Sequence, residues 1–172
     1  MSVGELMKRS GKVAFYGVPA VGGTGDPKFV RLKGFTDMSQ SKNPTEYSRK
    51  YVDEDFEETD VTGYSPSIAY TFDRYRGNEA LDDIVKLTDD ECTGNAAIRE
   101  VVVVDMETKE AVRRSFAVVP DTEGDSTDAY TYSGNLKVKG EKIVGTAVLS
   151  DENKVCTFTK KSSGETTPVQ GE

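Results

Sequence analysis

The chain has 172 residues, a formal charge of −8, and neither histidine nor tryptophan. That length allows one domain with a substantial core. The negative balance argues against a conventional nucleic-acid binder, which needs a basic face to neutralise phosphate, though not against a protein that lets nucleic acid pass without adhering.

Residues 1–12 read as an N-terminal arm. Its start, MSVGELMKRSGKV, has no apolar stretch after the basic residues, so it is not expected to be a secretory signal. A β-type alternation begins at Val13, Phe15 and Gly17 and stops at Val18-Pro19, and the Gly-rich AVGGTGDP (20–27) follows as a turn. Residues 28–36 predict one strand, with Phe29, Arg31, Lys33 and Phe35 on one face and Val30, Leu32 and Gly34 on the other.

Segment 37–64 is poor in aliphatic residues and dense in charge. Within it Tyr47, Arg49 and Tyr51 alternate with Ser48, Lys50 and Val52, which predicts a long polar hairpin over 43–64. Its acidic middle holds Asp53, Glu54, Asp55, Glu57, Glu58 and Asp60, with Phe56 among them and Tyr64 at the end. A two-stranded ribbon with so few aliphatics does not stabilise itself readily, so a partner is expected. Tyr and Arg are the residue types enriched in interface cores.

Ser67, Ala69, Thr71 and Asp73 alternate with Ile68, Tyr70 and Phe72, a clear strand. A helix follows over 78–88, with Asn78 as N-cap, Glu79, Asp82 and Asp83 in its first turns, and an apolar stripe of Ala80-Leu81, Ile84-Val85 and Leu87. Strands are then expected over 97–106, 111–120, 129–139, 142–149 and 154–159. Short strands at this spacing indicate an antiparallel β-sandwich or barrel flanked by one helix, the single domain spanning 13–160. Residues 161–172 read as a flexible polar tail.

The absence of histidine removes the commonest general base and every Ser-His or Cys-His nucleophile, so no catalytic residue is expected. Cys92 and Cys156 lack CxxC spacing and are expected as reduced thiols. The acidic run 53–60 and the stretch DTEGDSTD (121–128) could in principle offer oxygen ligands to calcium. The run has no internal Gly, and the stretch lacks the 12-residue pattern ending in Glu. A solvated hairpin face and an interstrand turn suit them better, and neither metal nor cofactor is expected. Gly22-Gly23-Thr24-Gly25 lacks the Gly-Lys-Ser/Thr ending of a phosphate loop. No apolar stretch approaches the ~20 residues of a membrane span, so no membrane anchor is expected.

Two blocks, YSRKYVDEDFEETDVTGYSPSIAYTFDRY (47–75) with its helix NEALDDIVKLTDDE, and REVVVVDM with RRSFAVVPDTEGDSTDAYTYSGNLKVKGEKIVGTA (113–147), are similar to the tail tube proteins of siphophages, the long-tailed phages without a contractile sheath. The resemblance spans about residues 8–160. It implies a non-enzymatic virion protein that forms hexameric rings, with strands of neighbours joined into one barrel around a lumen. The rings stack into a tube that conducts double-stranded DNA out of the capsid. Further implied partners are the tail terminator, tape measure and baseplate or distal tail proteins, with assembly in the host bacterial cytoplasm.

On this reading the contacts between subunits or rings are expected at Tyr47, Arg49, Tyr51, Asp53, Glu54, Asp55, Phe56, Glu57, Glu58 and Tyr64. Lumen-lining strands are expected to present Arg31, Lys33, Ser67, Ala69, Thr71 and Asp73. Two alternatives stay open: the tube protein of a contractile tail or injection system, and a monomeric β-sandwich binding module.

Overall fold

A run of four valines, 101–104, can be buried only where both faces of a strand meet apolar neighbours. The computed structural model, which describes residues 4–20, 22–124 and 126–162, supplies that setting. Strand β1 (Lys12–Val18) pairs antiparallel with β7 (Ile98–Asp105) in the register Val13↔Val104, Ala14↔Val103, Phe15↔Val102 and Tyr16↔Val101. These two strands form a wall shared by two cores.

On one side of the wall lie Val13, Phe15, Val102 and Val104. They pack with Phe29, Ala111, Ala147 and Cys156. This core fills a closed ring of strands. From β1 the ring runs through β2 (Lys28–Arg31), β11 (Val155–Lys160), β10 (Ile143–Ser150) and the first half of β8 (Glu110–Glu123), and returns through β7. Closure comes from the pairing of Ile143–Thr146 with Glu110–Arg113. Gly145 sits at this seam between Ala111 and Lys160, where a Cβ would run into the Thr159 carbonyl and the Phe158 ring. Arg113 closes one end of the ring. Its guanidinium lies 5.2 Å from the Phe29 ring centroid and pairs with Glu100.

On the other side, Tyr16 and Val101 join a second core with Ile68, Tyr70, Phe72, Phe116, Val118, Tyr132 and Leu136. These come from β6 (Ser67–Asp73), β8 and β9 (Thr131–Val138). Helix α1 (Glu79–Asp89) covers this core with Ala80, Leu81, Ile84, Val85 and Leu87. Its cap is the one expected: Asn78 Oδ1 accepts from the backbone N–H of Ala80 at 3.0 Å and of Leu81 at 3.4 Å.

A partly buried polar triad pins the helix to the wall. Tyr16 donates to Asp83 Oδ2 at 2.6 Å, and Arg99 Nε donates to the same oxygen at 2.8 Å. Burial pushes the Tyr16 phenol far above its usual range, and the adjacent Asp83 carboxylate pushes it further. Burial alone would lower the Arg99 guanidinium, but its bonds to Asp83 outweigh that and raise it.

The structure thus shows a mainly β chain with one flanking helix, as the alternation predicted. Three elements differ from expectation. The strand predicted over 28–36 is two strands, β2 and β3 (Phe35–Ser41), broken by Gly34 at φ 81° where the chain leaves the ring and crosses to the far side of β6. Strand β8 continues through Glu123, so part of 121–128 is strand and not turn. Helix α1 ends at Asp89, after which Glu91 takes φ 51°. Of the tail expected at 161–172, residues 163–172 lie outside the described residues.

Candidate assembly site

Beyond Ala117, strand β8 leaves β7 and runs on beside β9 alone. From there the order is β8–β9–β6–β3, a four-stranded sheet with its own two edges. One face carries the aromatic core, where Tyr70 stacks on Phe72 and Phe72 on Tyr132 at 6.0 and 5.6 Å between ring centroids. Burial raises the Tyr70 phenol to about 12. The other face meets solvent.

Cross-strand register fixes what that outer face contains, because directly opposed residues share a side. One row is Ser41, Ser67, Lys137 and Ala117; the next is Ser39, Ala69, Asn135 and Val119. A third holds Asp37, Thr71 and Ser133, and a fourth pairs Asp73 with Thr131, which is buried. The surface is therefore paved with short side chains, with one cation against two carboxylates. Ser67, Ala69, Thr71 and Asp73 come together here. Arg31 and Lys33, expected on a strand of the same kind, are not on this face. Arg31 ends β2 and Lys33 lies in the crossing before β3, beside Arg76 and Asn78.

Both edges of this sheet lack strand partners among the described residues. On β3 a groove runs along the free edge, lined by Lys12 and Ala14 of β1 and by Met38, Ser39 and Gln40. Arg9 reaches into it and donates to the Met38 carbonyl at 3.1 Å. On β8 the free stretch is 118–123, where Pro120 sits, as prolines do on edge strands.

The β3–β6 ladder continues outward as a ribbon, β4 (Pro44–Arg49) and β5 (Glu58–Tyr64). A joint at Asn43 attaches it: Asn43 Nδ2 donates to Ser65 O and Ser67 Oγ, both at 3.1 Å. Every residue of β4 and β5 is exposed except Gly63. The Arg49 guanidinium lies 5.3 Å from the Tyr47 ring and 5.4 Å from that of Tyr51, and it pairs with Asp60 at 3.5 Å. Phe56 at the tip is 83% exposed and Tyr64 at the base 62%. All four aromatics of the ribbon are exposed, and none of them belongs to either core. The acids of 53–60 surround the tip, and among the described residues no three acidic or cysteine groups gather as a metal site.

Sequence reasoning found the hairpin and the Ser67–Asp73 face. It missed β3 as a separate strand and the second half of β8, hence both free edges. The available signal was Gly34, which a strand 28–36 could hold only as an interruption.

No family model and no curated protein matches the sequence. Among solved structures, a chain from the tail of an empty GTA particle, solved by helical refinement in C6 symmetry, has a TM-score of 0.59 at 13% identity. The likeness covers 80% of this chain and 97% of that one. Chains from the anti-feeding prophage tube-terminating cap and baseplate have TM-scores of 0.49 and 0.48 at 13% and 9% identity; they cover 86% and 84% of this chain and 95% and 97% of theirs. At 0.59 the likeness establishes that the chain shares the fold of that chain from the GTA particle tail.

Proposed function

We propose that the chain is a structural subunit of a phage-type tail tube, a conduit that performs no chemistry. The observation that carries this reading is the four-stranded sheet β8–β9–β6–β3. It has an apolar inner face, a short-chained polar outer face and two unpaired edges. Unpaired edges are a liability unless another strand covers them. Joining the β3 edge of one copy to the 118–123 edge of the next is a head-to-tail contact, and it closes into a ring when the rotation per step divides the circle.

Six copies, the number implied by the siphophage resemblance and by the symmetry of the particle with the similar chain, would enclose a barrel of about 24 strands. Its lumen would be lined by Ser39, Ser67, Ala69, Thr71, Ser133 and Asn135. Short neutral side chains beside Asp37 and Asp73 offer DNA phosphates no counter-charge except Lys137, so a duplex slides instead of binding. Rings then stack through the ribbon β4–β5, and the tube sits in a virion tail between terminator and baseplate proteins.

The test is negative-stain microscopy with light scattering on the purified chain and on Gln40→Pro. The Met38 carbonyl accepts from Arg9 on the free side of β3, and in an antiparallel strand every second residue points the same way. Gln40 N–H is therefore an outward donor, and its removal spares the β6 ladder. Wild type should give hollow tubes of uniform width, and Gln40→Pro monomers of unchanged melting temperature. Tubes from Gln40→Pro at wild-type concentrations would remove edge pairing from the account.

A further inference from the structure

The ribbon leaves the body where β3 ends and β6 begins, at Ser41 and Ser67. At the opposite end of the same two strands, roughly 23 Å away for seven residues of strand, lies a depression of 450 Å³. Its rim carries Lys28, Arg31, Lys33, Arg76 and Lys154. In a chain of net charge −8 this is a concentration of positive charge assembled from three separate stretches of sequence. Two acids share the rim. Glu79 is taken up by Lys28 at 3.2 Å, and Asp151 stands in the turn before β11. Among the described residues Arg31, Lys33 and Arg76 have no ion-pair partner, and the floor between them includes Val30 and Val155.

The tip of the ribbon presents the reverse pattern. Residues 44–64 hold seven carboxylates against Arg49 and Lys50, and Phe56 stands exposed between Asp55 and Glu57. An apolar ring flanked by acids matches an apolar floor rimmed by cations. The two features occupy opposite ends of one strand pair, so a ribbon cannot reach the depression of its own chain. A copy displaced along the strand direction can supply it, and a head-to-tail contact of that kind repeats without closing.

We infer that the depression rimmed by Arg31, Lys33 and Arg76 is the receptor for the ribbon tip of a second copy of this chain. Phe56 seats against Val30 and Val155, with Asp53, Asp55 and Glu57 facing the cations. This rests on the tube reading for its biological setting, while the pairing itself can be tested without a tube. It assigns Arg31 and Lys33 to stacking, not to the lumen.

The first experiment measures fluorescence anisotropy of a labelled peptide with the sequence of residues 50–60, titrated with the full chain kept dilute enough to stay monomeric. Binding should weaken with added salt, as it does for exposed charge pairs. Arg31→Glu with Arg76→Glu should weaken it roughly tenfold or more, since each attraction becomes a repulsion. The second experiment mixes that double variant with a chain carrying Asp53→Lys and Asp55→Lys. Each alone should form rings but few tubes, and an equal mixture should regain tubes because every tip then meets a complementary rim.

Absence of peptide binding, or binding equal in wild type and the double variant, overturns the assignment. So does a mixture that stays as rings. Competition of the peptide by duplex DNA, with tubes unaffected by the double variant, would reassign the depression to phosphate. Peptide binding without rings or tubes under any condition would uphold the receptor and remove the tube.

Discussion

Replacing Phe56 by Ser separates a contact within the chain from one between chains. The ring is 83% exposed at the ribbon tip and has no hydrophobic neighbour in either core, so its loss should leave the monomer as stable as before. Burial of a Phe side chain contributes about 1.5–3 kcal/mol. If the tip is buried between copies, Phe56→Ser therefore removes about 2 kcal/mol per contact, roughly 30-fold in the concentration at which tubes appear. Phe72, fully buried between Tyr70 and Tyr132, is the control. Its change to Ala should cost about 3–5 kcal/mol and lower the melting temperature by roughly 10 °C in a domain of this size. The assays are calorimetry on dilute monomer and light scattering across a concentration series. A fall of several degrees for Phe56→Ser would mean that the ribbon packs on its own body. An unchanged assembly threshold would mean that Phe56 faces solvent in the tube.

Asp83→Ala leaves the Tyr16 hydroxyl without its acceptor and Arg99 with only the Ala96 and Ile98 carbonyls, since both side chains bond the same carboxylate. A cost of about 3–5 kcal/mol is expected in denaturant titration, and a loss under about 1 kcal/mol would show that the triad does not hold the helix. Gly145→Ala places a Cβ against the Thr159 carbonyl at the seam of the strand ring. Overpacking there should cost about 1–3 kcal/mol, and an unchanged melting temperature would mean that β10 shifts freely.

Asp105 accepts from the backbone N–H of Thr108 and Glu107, which hold its carboxyl below the usual range. A carboxyl lowered on folding stabilises the native state above its unfolded value of about 3.9. That contribution is lost as pH falls through the native value. Wild type should therefore exceed Asp105→Asn in melting temperature at neutral pH, with the gap closing below about pH 4. A gap that does not vary with pH would refute the charge argument.

Local chemistry made some of this fold legible in sequence. Asn78 announced the helix, the residues around Val101–Val104 a strand, and the Tyr-Arg-Tyr alternation a ribbon without a core of its own. Strand β3 stayed hidden because Thr36, Asp37, Ser39, Gln40 and Ser41 are polar and Met38 is the one aliphatic residue among them. A strand with one face in solvent and one edge unpaired needs little apolar residue, and periodicity has nothing to register. The end of β8 was hidden in the same way behind Asp121-Thr122-Glu123. The basic depression was out of reach for another reason. Its cations lie at 28, 31, 33, 76 and 154, and only the pairing of β11 with β2 and the crossing at Gly34 bring them together.

Cryo-electron microscopy of the assembled particle, at a resolution that shows side chains, tests the central claim most directly. The account predicts that β3 of each subunit is hydrogen-bonded to residues 118–123 of its neighbour and that Ser67, Ala69, Thr71 and Asp73 face the lumen. A particle in which that face points outward, or in which either edge is covered by anything other than the neighbouring sheet, would contradict it.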